Sequence, residues 1–299
     1  MRISLLRAPA AALLFPVLLL SGCVWTTRKL PVPRAPSIMQ TVAPDQLVAR
    51  LNQRWEALDS LNATVEVQAS ELKSKEGVAR DYTSFRGHIL MRKPELLRVL
   101  GQVPVLGSRM FDMVGDGKNF TIWIPSSNTA YKGSYALTKK SSNPLLNLRP
   151  GFFLDAIVVR GLEPDDLYSV VADSEIVPDA ARKHLFNVPE YILSISRHKP
   201  GSNQLTPVRV ITFHREDLLP YEQDLYDSEG NLETHVTYLD YRDFGTGKYP
   251  STLVIKRPLE DIQVVLTIDK VVENPKNPPL TADEFVLKLT EGTQIQNLE

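Results

Sequence analysis

"SFRGHILMR" (84–92), "LLRVLGQ" (96–102), "RMFDMVGD" (109–116) and "NFTIWIP" (119–125) follow one another with short breaks between them. Each run has the length and composition of a β-strand. The connections are rich in Gly, Pro and Ser, which favours an antiparallel meander over crossover connections. Upstream, "ATVEVQAS" (63–70) alternates apolar and polar residues as a half-buried strand does. Before it, Leu47, Leu51, Trp55, Leu58 and Leu61 recur at three- and four-residue spacing, with Pro44 suited to a first helical turn. Downstream, "TAYKGSY" (129–135) continues the meander. "NPLLNLRPGFFLDAIVVRGLE" (143–163) interrupts it with a very apolar stretch that reads as two short helical pieces split at Pro150-Gly151.

Strand patterns then resume at "LYSVVAD", "YILSISRH", "PVRVITFHR", "PYEQDLYD", "LETHVTYLDYRDF", "STLVIKRP", "IQVVLTIDKVVEN" and "EFVLKLT". "YDSEGNLE" is a hairpin turn, with Gly230 and Asn231 available for positive φ. The pattern predicts an α+β fold: one strongly curved antiparallel sheet, an incomplete β-barrel of about 11–12 strands, with helices covering an apolar cavity.

The 299 residues carry 34 Lys and Arg against 35 Asp and Glu, interspersed, so there is no basic stripe of the kind nucleic acid requires. The single cysteine, Cys23, follows an apolar run, Ala10 to Leu20, which itself follows Arg2 and Arg7. A charged segment followed by an apolar run of this length reads as a secretory signal, too short to serve as a bilayer-spanning anchor. Leu20-Ser21-Gly22-Cys23 matches the bacterial lipobox at every position. That resemblance implies residues 1–22 as a cleaved signal peptide and an acyl or diacylglyceryl (palmitate-type) anchor on Cys23, with no other cofactor. By analogy with lipoprotein sorting in many proteobacteria, Val24 points to the periplasmic face of the outer membrane. Residues 23–43 then form the lipidated, Pro-rich tether, which at ~3.1 Å per residue reaches roughly 60 Å. Residues 44–299 form the folded body.

"GHILMRKPELLRV" (87–99) followed by "MVGDGKNFTIWIP" (113–125) resembles the LolA/LolB lipoprotein-carrier family, with Ile89 where that family has leucine. The later segments "YDSEGNLETHVTYLDYRDFGTGKYPSTLVI", "VVLTIDKVVENP" and "DEFVLKL" resemble its closing strands, where a central Asn precedes a final Phe-x-Leu strand. The resemblance implies a half-barrel over an apolar cavity that holds acyl chains. Its partners would be membrane lipids, lipid or lipoprotein cargo and a soluble periplasmic carrier. In "QVPVLGS" (102–108), Val105 and Leu106 stand where turns are usually polar, and the resemblance implies a membrane-insertion loop. A loop tucked back into the core is the competing reading.

Leu148, Phe152, Phe153 and Ile157 are candidates for a lid over the cavity, with Pro150-Gly151 as its hinge, or for an ordinary core helix. Trp123 is a further cavity candidate. Arg86 is a candidate latch for the lid, in competition with Arg92 and Arg98, and a solvent-facing strand arginine is the simpler reading.

Enzymatic constellations are thin. The five histidines show no metal-ligand spacing, no Gly-x-Ser-x-Gly elbow occurs, and Asp116-Gly117-Lys118 reads as a β-turn without a phosphate loop around it. The expected protein is therefore no enzyme and has no metal. It is a membrane-anchored acceptor of acyl chains that passes them to the outer membrane. A carrier of another amphiphile, or a non-transport interaction or sensor lipoprotein on the same fold, are the alternatives.

Overall fold

The computed structural model describes residues 38–73, 78–135, 146, 150–178, 184–245 and 247–298. The chain divides into two units, Met1–Ala35 with Ile176–Asn187, and Pro36–Glu175 with Val188–Glu299. The described residues of the first unit are the ends of two strands. The second unit carries the helices and almost all of the sheet.

Helix α1 (Pro44–Ala57) opens the second unit with Pro44 in its first turn, Asp45 near its positive end and Arg54 near its negative end. It buries Leu47, Val48 and Leu51 on one face. Strands β1 (Ser60–Lys73), β2 (Val78–Asp81), β3 (Phe85–Arg92), β4 (Leu96–Gln102), β5 (Arg109–Gly115), β6 (Asn119–Ile124) and β7 (Thr129–Ser134) follow as the sequence predicts, with β2 an addition to it. After α2 (Pro150–Ile157) come β8 (Leu167–Pro178), β9 (Leu185–His198), β10 (Leu205–His214), β11 (Pro220–Tyr226) and β12 (Leu232–Asp243). The chain closes with β13 (Lys248–Arg257), β14 (Ile262–Glu273) and β15 (Gln294–Asn297).

All fifteen strands join one sheet in the order β15-β7-β6-β5-β4-β3-β1-β14-β13-β12-β11-β10-β9-β8, with β2 paired to β1 off this path. The path does not return on itself, so the sheet is open, consistent with an incomplete barrel. The count exceeds the expected 11–12, and β2 and β15, at four residues each, are two of the additional strands, too short to show a period. The pairings among β1–β7, among β9–β14 and between β1 and β14 are antiparallel, and β15 runs parallel to β7. The N- and C-terminal halves meet through β1 and β14, a pairing that runs from Leu61↔Glu273 to Glu71↔Ile262.

The alternation read in the sequence is the burial pattern of the strands: β3 and β4 bury every second residue, and β14 does so over most of its length. Gly101 is required by packing, since a Cβ there would lie 2.3 Å from the ring of Phe111 on the neighbouring strand. Asn274 joins the first helix to the sheet. Its Oδ1 accepts the N–H groups of Asp59 and Ser60, and its Nδ2 donates to the carbonyl of Ala57. That is a physical role for the asparagine of the closing-strand motif.

Pro150 and Gly151 begin α2, the second of the two expected helical pieces, as proline's fixed φ and missing N–H allow. The first expected helical piece lies almost wholly outside the described residues. "EFVLKLT" is no strand: Ala282–Phe285 forms a 3-10 turn that buries Phe285, and the closing strand comes later as β15. The capping pair Thr281 and Glu284 starts that turn, and Arg98 fixes its end by donating to the Glu284 carbonyl at 2.7 Å. The Asp116-Gly117-Lys118 turn holds as expected, with Gly117 at φ 85° and the Asp116 carboxylate accepting the N–H groups of Lys118 and Asn119. In the β11–β12 hairpin only Gly230 adopts positive φ, because the Asp227 carboxylate already organises the turn from Glu229 to Asn231.

Candidate functional site

The buried side chains form two apolar clusters. The larger gathers residues of β1, β3–β6 and β12–β14 with Phe153, Leu154, Ala156 and Ile157 of α2. The smaller joins Leu47, Val48 and Leu51 of α1 to Tyr191, Leu193, Ile195, Ile211, Phe213 and Leu218 of β9, β10 and the turn after it. The seam between them is hollow. A cavity of about 240 Å³ is lined on one side by Leu47, Leu51, Phe213 and Leu218 and on the other by Leu58, Ile157, Val158, Tyr238 and Tyr249. Exposed Arg50, Arg54 and Lys248 also line it.

Buried donors hold the chain that leaves α2. Gln223 Nε2 donates to the Asp155 carbonyl at 2.8 Å, and the Tyr238 hydroxyl to the Ala156 carbonyl at 2.9 Å. Arg209, buried on β10, donates to the carbonyls of Arg160 and Gly161 at 2.8 and 2.7 Å. Helix C-termini leave such carbonyls without intrahelical partners, so Gln223 and Tyr238 satisfy the end of α2, and Arg209 holds the segment that follows it. Burial pulls the Arg209 guanidinium below its ordinary value, an effect opposed by Asp166 and Asp155. From the other helix, Asn52 Oδ1 accepts the Leu162 N–H at 2.8 Å, and a Cβ on Gly161 would meet that same oxygen at 2.8 Å. Helix α1 and the segment after α2 are thus locked together beside the cavity.

A second cavity, about 590 Å³, is polar and internally neutralised. Arg160 pairs with Asp155 at 2.8 Å, Arg197 with Asp166 at 2.6 Å, and Arg257 with Glu260 at 2.6 Å and Glu233 at 3.1 Å. On the sheet itself, Asp224 Oδ1 lies 2.7 Å from His235 Nδ1, and His235 Nε2 lies 3.2 Å from the Thr237 hydroxyl. This row has the order of a nucleophile triad, which one-dimensional spacing concealed because Asp224 and His235 face each other across paired strands. Both neighbours of β12 are hydrogen-bonded to it at this level. Its backbone N–H groups are therefore engaged, and none of the three residues lines either cavity. Among the described residues no group of three or more His, Cys, Asp or Glu could hold a metal ion, and no helix is long and apolar enough to cross a membrane.

Of the residues singled out in the sequence, Ile157 lines the apolar cavity. Phe153 is fully buried in the larger cluster, and Trp123 is buried on β6 away from the cavity lining. Arg86 points outward and pairs with Asp269 at 3.4 Å. Arg98 is instead committed to buried Asp112, as a two-pronged pair at 2.9 and 2.7 Å. Cys23, Leu148 and the side chain of Phe152 lie outside the described residues. Gln40 to Val42, within the expected tether, are hydrogen-bonded to Arg215, Glu216 and Tyr191.

Val105 and Leu106 form the tip of the β4–β5 loop, and both side chains are exposed, Val105 completely and Leu106 to 78 %. The Leu106 N–H donates to the Pro104 carbonyl at 2.7 Å around Val105, which sits at φ 67°. A three-residue turn with positive φ is rare and strained, more so on a β-branched residue. Gly107 N–H to the Val103 carbonyl and Val103 N–H to the Ser108 carbonyl brace its base. The sequence showed Leu47, Leu51, Trp55 and Leu58 as a helical face and not as cavity walls, and it did not single out the tyrosines of β12 and β13. Their helical and alternating spacings look the same whether a residue meets a neighbour or a void.

No family model matches the sequence, and no curated protein matches it. Solved structures do resemble it. A LolA-superfamily protein from Nitrosomonas europaea superposes with a TM-score of 0.52 at 13% identity, covering 83% of this chain and 99% of that one. A DUF1329-family protein from Desulfovibrio piger gives 0.52 at 14% identity, covering 81% and 95%. The class defined by the sheet is therefore the LolA/LolB-like fold. Likeness at this identity establishes the architecture alone.

Proposed function

We propose that this protein is a membrane-anchored periplasmic lipid-binding protein that takes acyl chains into the cavity between its two apolar clusters and passes them to the outer membrane. The observation that carries the reading is the hollow seam itself: apolar walls drawn from both helices and from β10, β12 and β13. Burying an acyl chain there yields about 0.8 kcal/mol per CH₂, enough to offset its removal from a carrier, and no covalent step is needed. The exposed tip Val105-Leu106 supports the release half of the cycle. Two apolar side chains held out in solvent at a cost in backbone strain are what a loop that enters lipid requires. The lipobox ending at Cys23 supplies the anchor, and the fold shared with a LolA-superfamily protein agrees with an acyl-binding role.

At about 240 Å³ the cavity lies just under the roughly 300–1,000 Å³ of ordinary ligand sites. It suits one chain at a time, and bulkier cargo requires α2 and the segment after it to leave their Gln223, Tyr238 and Arg209 donors. The experiment is a transfer assay with the full chain anchored in vesicles and a fluorescent acylated peptide supplied by a soluble carrier. Transfer should be faster than from carrier alone and should slow in Leu106→Asp, which still binds the chain. Equal rates with and without the protein would refute the transfer reading. Undiminished binding in a cavity-filled variant would refute the site.

A further inference from the structure

Resting on that acyl-binding reading, we infer that the cavity selects single-chain amphiphiles with an anionic head, a carboxylate or a phosphate. The inference comes from the charges around the cavity. Its lining contains three cations, Arg50, Arg54 and Lys248, and no Asp or Glu. Arg50 and Arg54 stand one turn apart on α1, so they share a face of that helix. Lys248 begins β13, whose next two residues, Tyr249 and Pro250, also line the cavity. All three cations are exposed while the apolar walls are buried. The charges therefore mark the opening and the hydrocarbon the interior.

These cations differ in what they already do. Arg54 is committed: it pairs with Glu273, which also accepts the Tyr249 hydroxyl at 2.5 Å, and its guanidinium lies 5.1 Å from the Tyr249 ring centre. Arg50 and Lys248 have no carboxylate within ion-pair distance among the described residues. Two unpaired cations beside an apolar hole contrast with the polar cavity, where Arg160, Arg197 and Arg257 each have a carboxylate partner. An amphiphile with its chain in the seam would bring its head to Arg50 and Lys248. An anionic head gains from both, whereas a neutral head gains from neither. The cavity volume limits the ligand to one chain.

The test uses the full chain as Cys23→Ser, so that its own anchor does not compete, and displacement of a fluorescent single-chain probe. Palmitate and a one-chain lysophosphatidylglycerol are compared with monopalmitoylglycerol, which has the same chain and an uncharged head. The expected result is about fivefold tighter binding of both anionic lipids, since exposed ion pairs contribute modestly, falling as salt rises. Arg50→Gln combined with Lys248→Gln should abolish that preference by weakening both anionic lipids more than monopalmitoylglycerol. Preference for only one of the two anions would identify the head group. Equal affinity for charged and neutral lipids would overturn the inference while leaving the acyl-binding site standing. Failure of all three lipids to bind would overturn both.

Discussion

Val105 holds a positive φ at the exposed tip of its loop. A β-branched residue in the left-handed region costs on the order of 1–3 kcal/mol, and nothing in the fold benefits, because its side chain touches only solvent. Val105→Asn, which tolerates positive φ, should raise stability by up to about 1 kcal/mol in thermal unfolding and weaken insertion into vesicles. Loss of stability would show that the loop is not strained. Glu190 offers a pH test. Burial, then repulsion from Glu175, Glu222 and Asp173, holds its carboxyl up to about 7. The folded state thus holds this proton more tightly than the unfolded chain. Stability from it is intact below the unfolded carboxylate value and is lost as pH rises from there toward 7. Glu190→Gln should match the native melting temperature near pH 4 and exceed it at pH 8, by the equivalent of roughly 1–3 kcal/mol. An offset that is the same at both pH values would contradict this.

At the scale of elements, buried Gln223 and Tyr238 tie the end of α2 to the sheet. Removing the Tyr238 hydroxyl leaves the Ala156 carbonyl buried without that donor, at a cost of about 1–3 kcal/mol. Tyr238→Phe should therefore speed hydrogen exchange across residues 153–161 far more than in β1 or β14. A uniform effect across the sheet would mean that α2 does not move as a unit. The strands were legible in the sequence because each buries alternate residues, so "GHILMR" and "LLRVLGQ" display their faces directly. The donors to α2 were not. Gln223, Tyr238 and Arg209 lie far from α2 in sequence, and a buried arginine on a strand looks like an exposed one until the pairing is known. Arg86 showed the converse: it adjoins the recognised motif yet pairs with Asp269 in solvent. The turn at Phe285 escaped for another reason, since "EFVLKLT" has strand composition but Arg98 takes the Glu284 carbonyl, while the N–H and carboxylate of Glu284 are engaged with Thr281.

At the scale of the second unit, the proposed binding depends on a void between two cores. A sequence specifies which residues avoid water, but not whether two buried groups close on each other. The placement of that void, with apolar walls inside and unmatched cations at its opening, is what distinguishes an amphiphile-binding protein from a sheet with two helices packed on it. Under the proposed function a hydrocarbon chain occupies this seam. The most direct test of this is photo-crosslinking of the Cys23→Ser full chain with a fatty acid carrying a diazirine near its methyl end, followed by peptide mapping. The expected adducts fall on α1 between Leu47 and Leu58, on Ile157 and Val158, and on β12–β13 between Tyr238 and Tyr249, and they disappear in Leu51→Trp, which fills the cavity. Adducts confined to exposed apolar residues such as Leu167 and Val171, or labelling undiminished by Leu51→Trp, would contradict it.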